Sequence, residues 1–210
     1  MIDTEERARE FIAGQAGKEA IEKLERLAAE LREENERQNL VSKGSLDTIW
    51  VRHFADSAQL LDHVPRETAG MWLDLGSGAG FPGLIIAILR PSGTTTLVES
   101  RTRRVEWLHA MTEKLSLTEC KIEGQRLEAV EAQNAAVISA RAFAPLPKLL
   151  TLSARFSTAT THWVLPKGRS AAQEVDELPR HLRKMFHVEQ SKTDREAGIV
   201  VGMGRVGVSK

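Results

Sequence analysis

The chain has 210 residues and a formal net charge of zero, because 29 Lys and Arg residues balance 29 Asp and Glu residues. Its hydrophobic content of 41% and charged content of 28% are ordinary for a globular domain and exclude a disordered chain. The zero net charge also excludes a general attraction to nucleic acid, so any RNA contact must come from a local patch.

The first fourteen residues, MIDTEERAREFIAG, lack the basic flank and apolar segment of a signal peptide. No apolar run approaches the roughly 18 residues that a membrane helix needs. We therefore expect a cytoplasmic protein that makes no membrane contact. A single cysteine, Cys120, permits neither an internal disulfide nor a thiolate zinc site, and we expect no metal.

The first predicted helix spans residues 18–37, where apolar side chains recur at helical spacing among charges. This stripe consists of Ile21, Leu24, Leu27, Ala28 and Leu31. The stripe could pack within the chain or on another chain, and we take a monomer as the working expectation. Gly44 is expected to end this part of the structure, and Ser45 is a candidate N-cap for a second helix that runs to residue 64. Residues 1–67 are assigned to a helical extension packed on the core, and 68–210 to the main domain.

From residue 71 onwards, strand-like and helix-like segments alternate. Strands are predicted at 71–75, 94–99, 119–123, 135–139, 161–165, 185–190 and 198–208. Helices are predicted between them, at 82–90, 101–116, 125–131, 145–157 and 170–182. This alternation predicts an α/β fold with a seven-stranded, mostly parallel, doubly wound sheet. No helix separates the last two strands, so a hairpin and an antiparallel strand are expected at that edge.

The segment WLDLGSGAGFPG, residues 72–83, reads as a strand, a tight loop and the start of a helix. Such a loop lies next to the ligand in an open α/β sheet. Gly78, Gly80 and Gly83 satisfy the dinucleotide pattern G-x-G-x-x-G, so the pattern alone does not separate a nicotinamide dinucleotide from S-adenosylmethionine.

The neighbouring residues favour S-adenosylmethionine. A pyrophosphate needs free N–H groups at the helix N-terminus, and Pro82 removes one of them. Asp74 suits a positively charged amino group, directly or through water. Glu99 ends the second strand, 21 residues after Gly78, and can accept hydrogen bonds from both ribose hydroxyls, although this spacing fits either cofactor.

The segment SARAFAPL follows the fourth predicted strand. Many enzymes that methylate exocyclic or amide nitrogens have an Asp/Asn-Pro-Pro-aromatic loop here, whereas this chain has Arg141 and Phe143. Phe143 could stack on a purine, and Arg141 could bind guanine O6, a phosphate or the cofactor carboxylate. A structural salt bridge for Arg141 and a core position for Phe143 remain open.

In the combination of these motifs the chain resembles the RsmG (GidB) family of bacterial rRNA methyltransferases. The resemblance covers nearly the whole chain, through NLVS, IWVRHFADSAQLL, WLDLGSGAGFPG, LVES, GQRLEAV, ISARAFAPL and LPKG. It implies a Rossmann-like class I methyltransferase fold and transfer of a methyl group from S-adenosylmethionine to N7 of one guanine, of the guanine-527 type, in the 530 loop of 16S rRNA. The implied partner is 16S rRNA or the small ribosomal subunit.

The family motifs also imply the residues of the site. The implied cofactor positions are Gly76, Gly78, Phe81, Glu99, Leu127, Glu128 and Arg141. Relatives often have lysine where this chain has Arg103 and Arg104, which puts the contact geometry there in doubt.

Guanine N7 has a free lone pair, so the reaction requires no general base. We expect Arg141 or Lys167 to orient the base through O6 or phosphate, and a stacked base must first be exposed. Lys167 could equally be a solvated loop residue, and His53, near Asp56 and Ser57, is read as a structural polar link. The predicted phosphate-binding rim consists of Arg101, Arg103, Arg104 and Arg126.

Two other functions remain open at this point. One is a nicotinamide-dependent oxidoreductase that uses the same glycine loop. The other is a ribosome-assembly protein that binds RNA without catalysis.

Overall fold

The computed structural model describes residues 1–207. Its sheet has seven strands in the order β3-β2-β1-β4-β5-β7-β6. The strands are β1 Trp72–Leu75, β2 Thr95–Val98, β3 Cys120–Glu123, β4 Val137–Ala140, β5 His162–Gly168, β6 Phe186–Gln190 and β7 Gly198–Met203. The first five strands are parallel, and β7 is antiparallel to both β5 and β6, which confirms the predicted sheet and its edge hairpin. Val208, at the end of the last predicted strand, lies outside the described residues.

The helices of the chain are mostly short. They are α1 Glu5–Ala13, α2 Lys18–Asn35, α3 Lys43–Leu46, α4 Asp56–Ala58, α5 Gly83–Leu89, α6 Thr102–Lys114, α7 Leu146–Ser153, α8 Ala171–Asp176 and α9 Arg180–Arg183. A π-helical turn spans Trp50–Ala55, and 3₁₀ turns span Gln59–His63, Leu127–Ala129 and Ala154–Phe156. α1 is not among the predicted helices, although Thr4 caps it by accepting a hydrogen bond from the Arg7 N–H.

The central strands β1, β2 and β4 are buried along their whole length, because helices cover both faces of the sheet. Trp72 lies on the face that packs against α5 and the N-terminal helices. Leu73 lies on the opposite face, in a cluster with residues of α7 and α8. The parallel register brings the carboxyl ends of β1, β2 and β4 to one edge of the sheet, where the site forms.

The apolar stripe of α2 packs within this chain. Leu24, Leu27 and Leu31 are fully buried and share one cluster with α5 and α6 residues such as Ile85 and Leu108. Burial of an apolar side chain of this size contributes about 1.5–3 kcal/mol. The stripe therefore holds the N-terminal helices on the face of the sheet that α5 covers.

Three predicted helices differ from the structure. The prediction of one helix over residues 45–64 is wrong, because α3, the π-helical turn, α4 and a 3₁₀ turn divide it. Ser45 is not an N-cap, since α3 begins at Lys43, and Gly44 lies inside α3. The predicted helix 125–131 reduces to a 3₁₀ turn, and 170–182 divides into α8 and α9 because Pro179 has no N–H to continue the helix.

Candidate active site

The glycine loop, residues 76–82, joins β1 to α5. Gly76 and Gly78 have φ angles of +66° and +59°, a region in which a Cβ atom is unfavourable. A Cβ atom on Gly76 would lie 2.5 Å from Cδ2 of Phe143, so the Phe143 ring packs directly on this loop. The Phe143 ring therefore occupies the side of Gly76 on which a Cβ atom would project.

Most of the amides of this segment already have partners inside the protein. Pro82 has no N–H, and it precedes α5 as predicted. Six neighbouring N–H groups donate to protein oxygens, namely those of Ser77, Gly78, Gly80, Phe81, Gly83 and Leu84. A pyrophosphate needs such N–H groups free and pointing towards it. The geometry thus counts against the dinucleotide alternative.

Asp74 lies beneath the loop rather than at its surface. The residue is fully buried, its Oδ2 accepts a hydrogen bond from the Gly83 N–H at 3.1 Å, and its Oδ1 accepts one from the Ser139 hydroxyl at 2.7 Å. Burial raises the pKa of Asp74, and these hydrogen bonds oppose the rise. Trp72 Nε1 donates to the same Ser139 oxygen at 2.9 Å. A direct contact between Asp74 and a cofactor amino group would require the loop to open, so Asp74 fixes the start of α5 in this conformation.

Glu99 follows β2 and ties the second loop to the first. One of its carboxylate oxygens accepts the Gly78 N–H at 2.9 Å, and the other accepts the N–H groups of Ser100 and Arg101 at 2.7 and 2.9 Å. The residue is 6% exposed, and the guanidinium of Arg104 lies 3.9 Å from it. The carboxylate thus ties the loop after β2 to Gly78 of the glycine loop.

The loop after β3 buries one of its three predicted site residues and exposes the other two. Leu127 is buried, whereas Arg126 and Glu128 are exposed. The guanidinium of Arg155 donates to the carbonyl oxygens of Leu127 and Val130 and so fixes this loop. An apolar wall is present, but the Glu128 side chain points to solvent.

The predicted arginine pair separates in the structure. Arg104 reaches Glu99, and its Nη1 would lie 3.5 Å from a Cβ atom on Gly78. Arg103 is exposed and lines a smaller cavity between α2 and α6, where its carbonyl oxygen accepts a hydrogen bond from Gln38. Only Arg104 of the pair therefore lies at the glycine loop.

Arg141 follows β4 and contacts the N-terminal helices. Its guanidinium lies 3.3 Å from the Arg52 carbonyl oxygen, 3.4 Å from the Asp56 carboxylate and 3.2 Å from His53 Nδ1. It also lies 5.3 Å from the ring centroid of Phe81 in the glycine loop. Burial lowers the pKa of Arg141, and Asp56 opposes that shift, so the guanidinium remains charged. The salt bridge that the sequence left open is present, but the side chain is still 24% exposed.

Lys167, at the end of β5, holds the loop that follows Arg141. Its Nζ donates to the Ala144 carbonyl oxygen at 2.7 Å and lies 3.0 Å from Glu174 of α8. Glu174 also accepts the Leu146 N–H at 2.6 Å, at the start of α7. Lys167 is therefore not a solvated lysine. Glu174 was not predicted as part of the site, and the sequence gives no signal for it because the pairing depends on how α8 packs.

A cavity of about 1040 Å³ opens beside these residues. Arg141, Phe143 and Lys167 line it on one side, and Arg52, His53 and Asp56 of the N-terminal helices line it on the other. The structure thus brings Arg141, Phe143 and Lys167 together at one cavity. Glu99, Leu127, Arg103, Arg104 and Arg126 are not among the cavity-lining residues.

Two further properties concern residues 1–207. No helix in that range is both long and apolar enough to cross a membrane. No group of three or more His, Cys, Asp or Glu side chains in that range is arranged to hold a metal ion.

Solved structures of similar fold include a methyltransferase from Aquifex aeolicus, with a TM-score of 0.57 at 13% identity over 82% of this chain and 98% of that one. An RNA methyltransferase from Salinibacter ruber, in complex with S-adenosyl-L-homocysteine, gives 0.51 at 12% identity over 73% and 93%. The chain therefore shares the fold of S-adenosylmethionine-dependent methyltransferases.

The family model described as rRNA small subunit methyltransferase G matches residues 20–197. Similar curated proteins carry the name ribosomal RNA small subunit methyltransferase G. The protein from Erythrobacter litoralis is 64% identical over 98% of this chain and 99% of that protein, and the one from Novosphingobium aromaticivorans is 54% identical over 87% and 80%. The chain belongs to this rRNA methyltransferase family.

Proposed function

We propose that this enzyme transfers a methyl group from S-adenosylmethionine to N7 of one guanine in the 530 loop of 16S rRNA. The observation that carries this proposal is the pair formed by Arg141 and Phe143 between the glycine loop and the cavity. A carboxamide or carboxylate at that place would suit a substrate NH₂ group. A guanidinium and an aromatic ring instead suit the O6 edge and the face of a purine.

The described residues fit S-adenosylmethionine at the glycine loop. Gly76 and Gly78 present backbone without a Cβ atom to the amino acid part, Glu99 offers carboxylate oxygens to the ribose, and Leu127 offers an apolar wall to the adenine. When bound, the cofactor supplies an electrophilic methyl group. Arg104, beside Glu99 and Gly78, closes the ribose side of the site.

The N7 lone pair attacks without losing a proton, so the reaction needs no general base. The protein has to orient the guanine instead. Arg141 binds O6 or the adjacent phosphate and leaves N7 uncapped, while Phe143 stacks on the ring. Lys167 holds the loop that bears both residues through the Ala144 carbonyl oxygen. Positioning of this kind can contribute about 7–11 kcal/mol to lowering a bimolecular barrier.

The RNA approaches across the cavity rim and brings an exposed base to it. Arg126 is exposed on the loop after β3 and is suited to a phosphate contact. Arg103 lies further away, against α2, and contributes at most to a longer RNA track. We also propose that the enzyme acts as a monomer in the cytoplasm on 16S rRNA or the small subunit.

The test is to map N7-methylguanine in 16S rRNA from cells with and without this protein. We expect one N7-methylated guanine in the 530 loop that disappears in the deletion strain and returns with the wild-type gene. An unchanged methylation map would contradict the proposal. If purified protein bound small subunits but transferred no label from methyl-tritiated S-adenosylmethionine, the non-catalytic assembly role would replace it.

A further inference from the structure

His53 connects the N-terminal helices to Arg141. It lies on the π-helical turn Trp50–Ala55, a type of turn that often occurs at functional sites. Its Nδ1 is 3.2 Å from Arg141 Nη2, and its Nε2 is 2.9 Å from the Ser45 hydroxyl. The Ser45 hydroxyl in turn donates to the Ser42 carbonyl oxygen at 2.8 Å.

The direction of each hydrogen bond in this chain follows from chemistry. An arginine side chain has donors only, so His53 Nδ1 must accept. The ring proton is therefore on Nε2 and is donated to Ser45, whose own proton goes to Ser42. Each group has a partner of the right kind, which fixes the neutral tautomer of His53.

The surroundings keep the ring neutral and its plane fixed. Burial, with the charges of Arg141 and Arg52, lowers the pKa of His53 to about 3. The acids beside these arginines are paired with them, Asp56 with Arg141 and Asp194 with Arg52. The ring stacks on Phe81 with centroids 4.8 Å apart and planes 11° apart. Phe81 belongs to the glycine loop, so the same imidazole contacts the loop and orients the guanidinium.

We propose that His53, in the N-terminal helices, is a positioning residue. Its neutral imidazole accepts a hydrogen bond from Arg141 and so holds the guanidinium in its working orientation. This inference rests on the role of Arg141 in the proposed function, but it does not depend on which RNA atom is methylated. The N-terminal helices thereby complete the active site rather than only covering the sheet.

The experiment measures tritium transfer to small ribosomal subunits by His53→Ala, His53→Asn, Arg141→Ala and the His53→Ala/Arg141→Ala double variant. We expect His53→Ala to lower kcat about 10- to 100-fold, as for loss of a charge-assisted hydrogen bond in a catalytic site, with little change in the KM for S-adenosylmethionine. Asn offers Oδ1 near the position of Nδ1, so His53→Asn should recover most of the activity. The double variant should lose no more than Arg141→Ala, because His53 acts through Arg141.

The matched control is His63→Ala, since His63 lies in the same helical extension and outside the cavity lining. It should keep wild-type kcat. The kcat of the wild type should also show no step near pH 6.5, which a histidine acting as a base would produce. Full activity of His53→Ala, equal losses in the Ala and Asn variants, or losses that multiply in the double variant would each overturn the proposal.

Ser45→Ala provides a second test if His53→Ala does not fold. Ser45 is half-buried on the short helix α3, so loss of its hydroxyl should lower the unfolding temperature by no more than a few degrees, as for one lost hydrogen bond. We expect kcat to fall about 2- to 10-fold, as for one lost hydrogen bond. Wild-type kcat would overturn the proposal. If the wild type methylated an atom other than guanine N7, the proposed function would fail while these variant ratios still tested His53.

Discussion

The glycine loop and the cavity lie at the same edge of the sheet, yet they are built from different kinds of contact. The glycine loop is closed by hydrogen bonds between its backbone and two acids, Asp74 and Glu99, and most of these partners are within 25 residues of each other. The cavity is lined by side chains that come together from distant segments, as when Arg141 meets His53, 88 positions away.

This difference in construction matches the two ligands of the proposed function. The backbone-built loop suits one fixed ligand, the cofactor. Under the proposed function, the cavity receives the RNA partner, whose base must enter and leave. Arg141 and Phe143 lie between the two regions. Both line the cavity, while Arg141 approaches Phe81 and Phe143 packs on Gly76 in the glycine loop.

The largest effect should come from Arg141→Ala. We expect methyl transfer to fall at least about 100-fold, as for removal of a group that stabilises or orients the transition state. The fold should persist, because Asp56 still accepts hydrogen bonds from Gln59 at 3.0 Å and Thr193 at 2.8 Å. Tritium transfer and thermal unfolding measure the two quantities, and full activity in a folded variant would refute the assigned role.

Glu99→Gln should weaken the binding of S-adenosylmethionine without changing the affinity for RNA. The neutral amide loses charge and places N–H donors where the carboxylate accepts three backbone N–H groups. We expect the Kd for S-adenosylmethionine to rise about 10- to 100-fold, consistent with the strength of charge-assisted hydrogen bonds. Calorimetry checks this, with Glu106→Gln on the exposed face of α6 as the control. An equal loss of affinity for RNA would show that the two regions are not separate.

The pH dependence of the free energy of unfolding should show that His53 is kept neutral in the folded protein. The unfolded chain takes up a proton on His53 near pH 6.5, whereas the folded chain does so only near pH 3, so acidification favours unfolding between these values. We expect the wild type to lose about 2 kcal/mol more than His53→Asn between pH 7 and pH 5. Urea unfolding at both pH values measures the difference. Identical losses in the two proteins would mean that His53 is not held neutral in the fold.

Gly76→Ala should have the smallest effect. The new Cβ atom adopts a φ of +66° and meets the Phe143 ring, so the free energy of unfolding should fall by about 1–2 kcal/mol. The Kd for S-adenosylmethionine should rise along with it. Gly44→Ala is the control, since no atom lies within 4 Å of its added Cβ atom. Equal effects of the two substitutions would argue against a constrained loop.

The seven strands, the edge hairpin and the glycine loop could be predicted because alternation, turn residues and apolar periodicity are local signals. The division of residues 45–64 could not, because Trp50, Phe54 and Leu61 keep the spacing of an α-helix in the sequence, whereas the backbone there forms a π-helical turn and a 3₁₀ turn. Asp74 was predicted to lie beside the glycine loop, but its burial was not predicted. The buried carboxylate accepts a hydrogen bond from Ser139, which the β1–β4 register places beside it. The roles of Arg126, Glu128 and Lys167 in binding remain predictions.

The sequence by itself determined that this is an α/β protein with a glycine loop after its first strand, and its motifs indicated the family. Those features are local, because they depend on residue types at short spacing. Only the tertiary structure decided that Lys167 is bound by Ala144 and Glu174, that Arg103 and Arg104 separate, and that His53 faces Arg141. Each of these depends on how distant elements pack, and packing of that kind follows from the shape of the whole core rather than from any one segment.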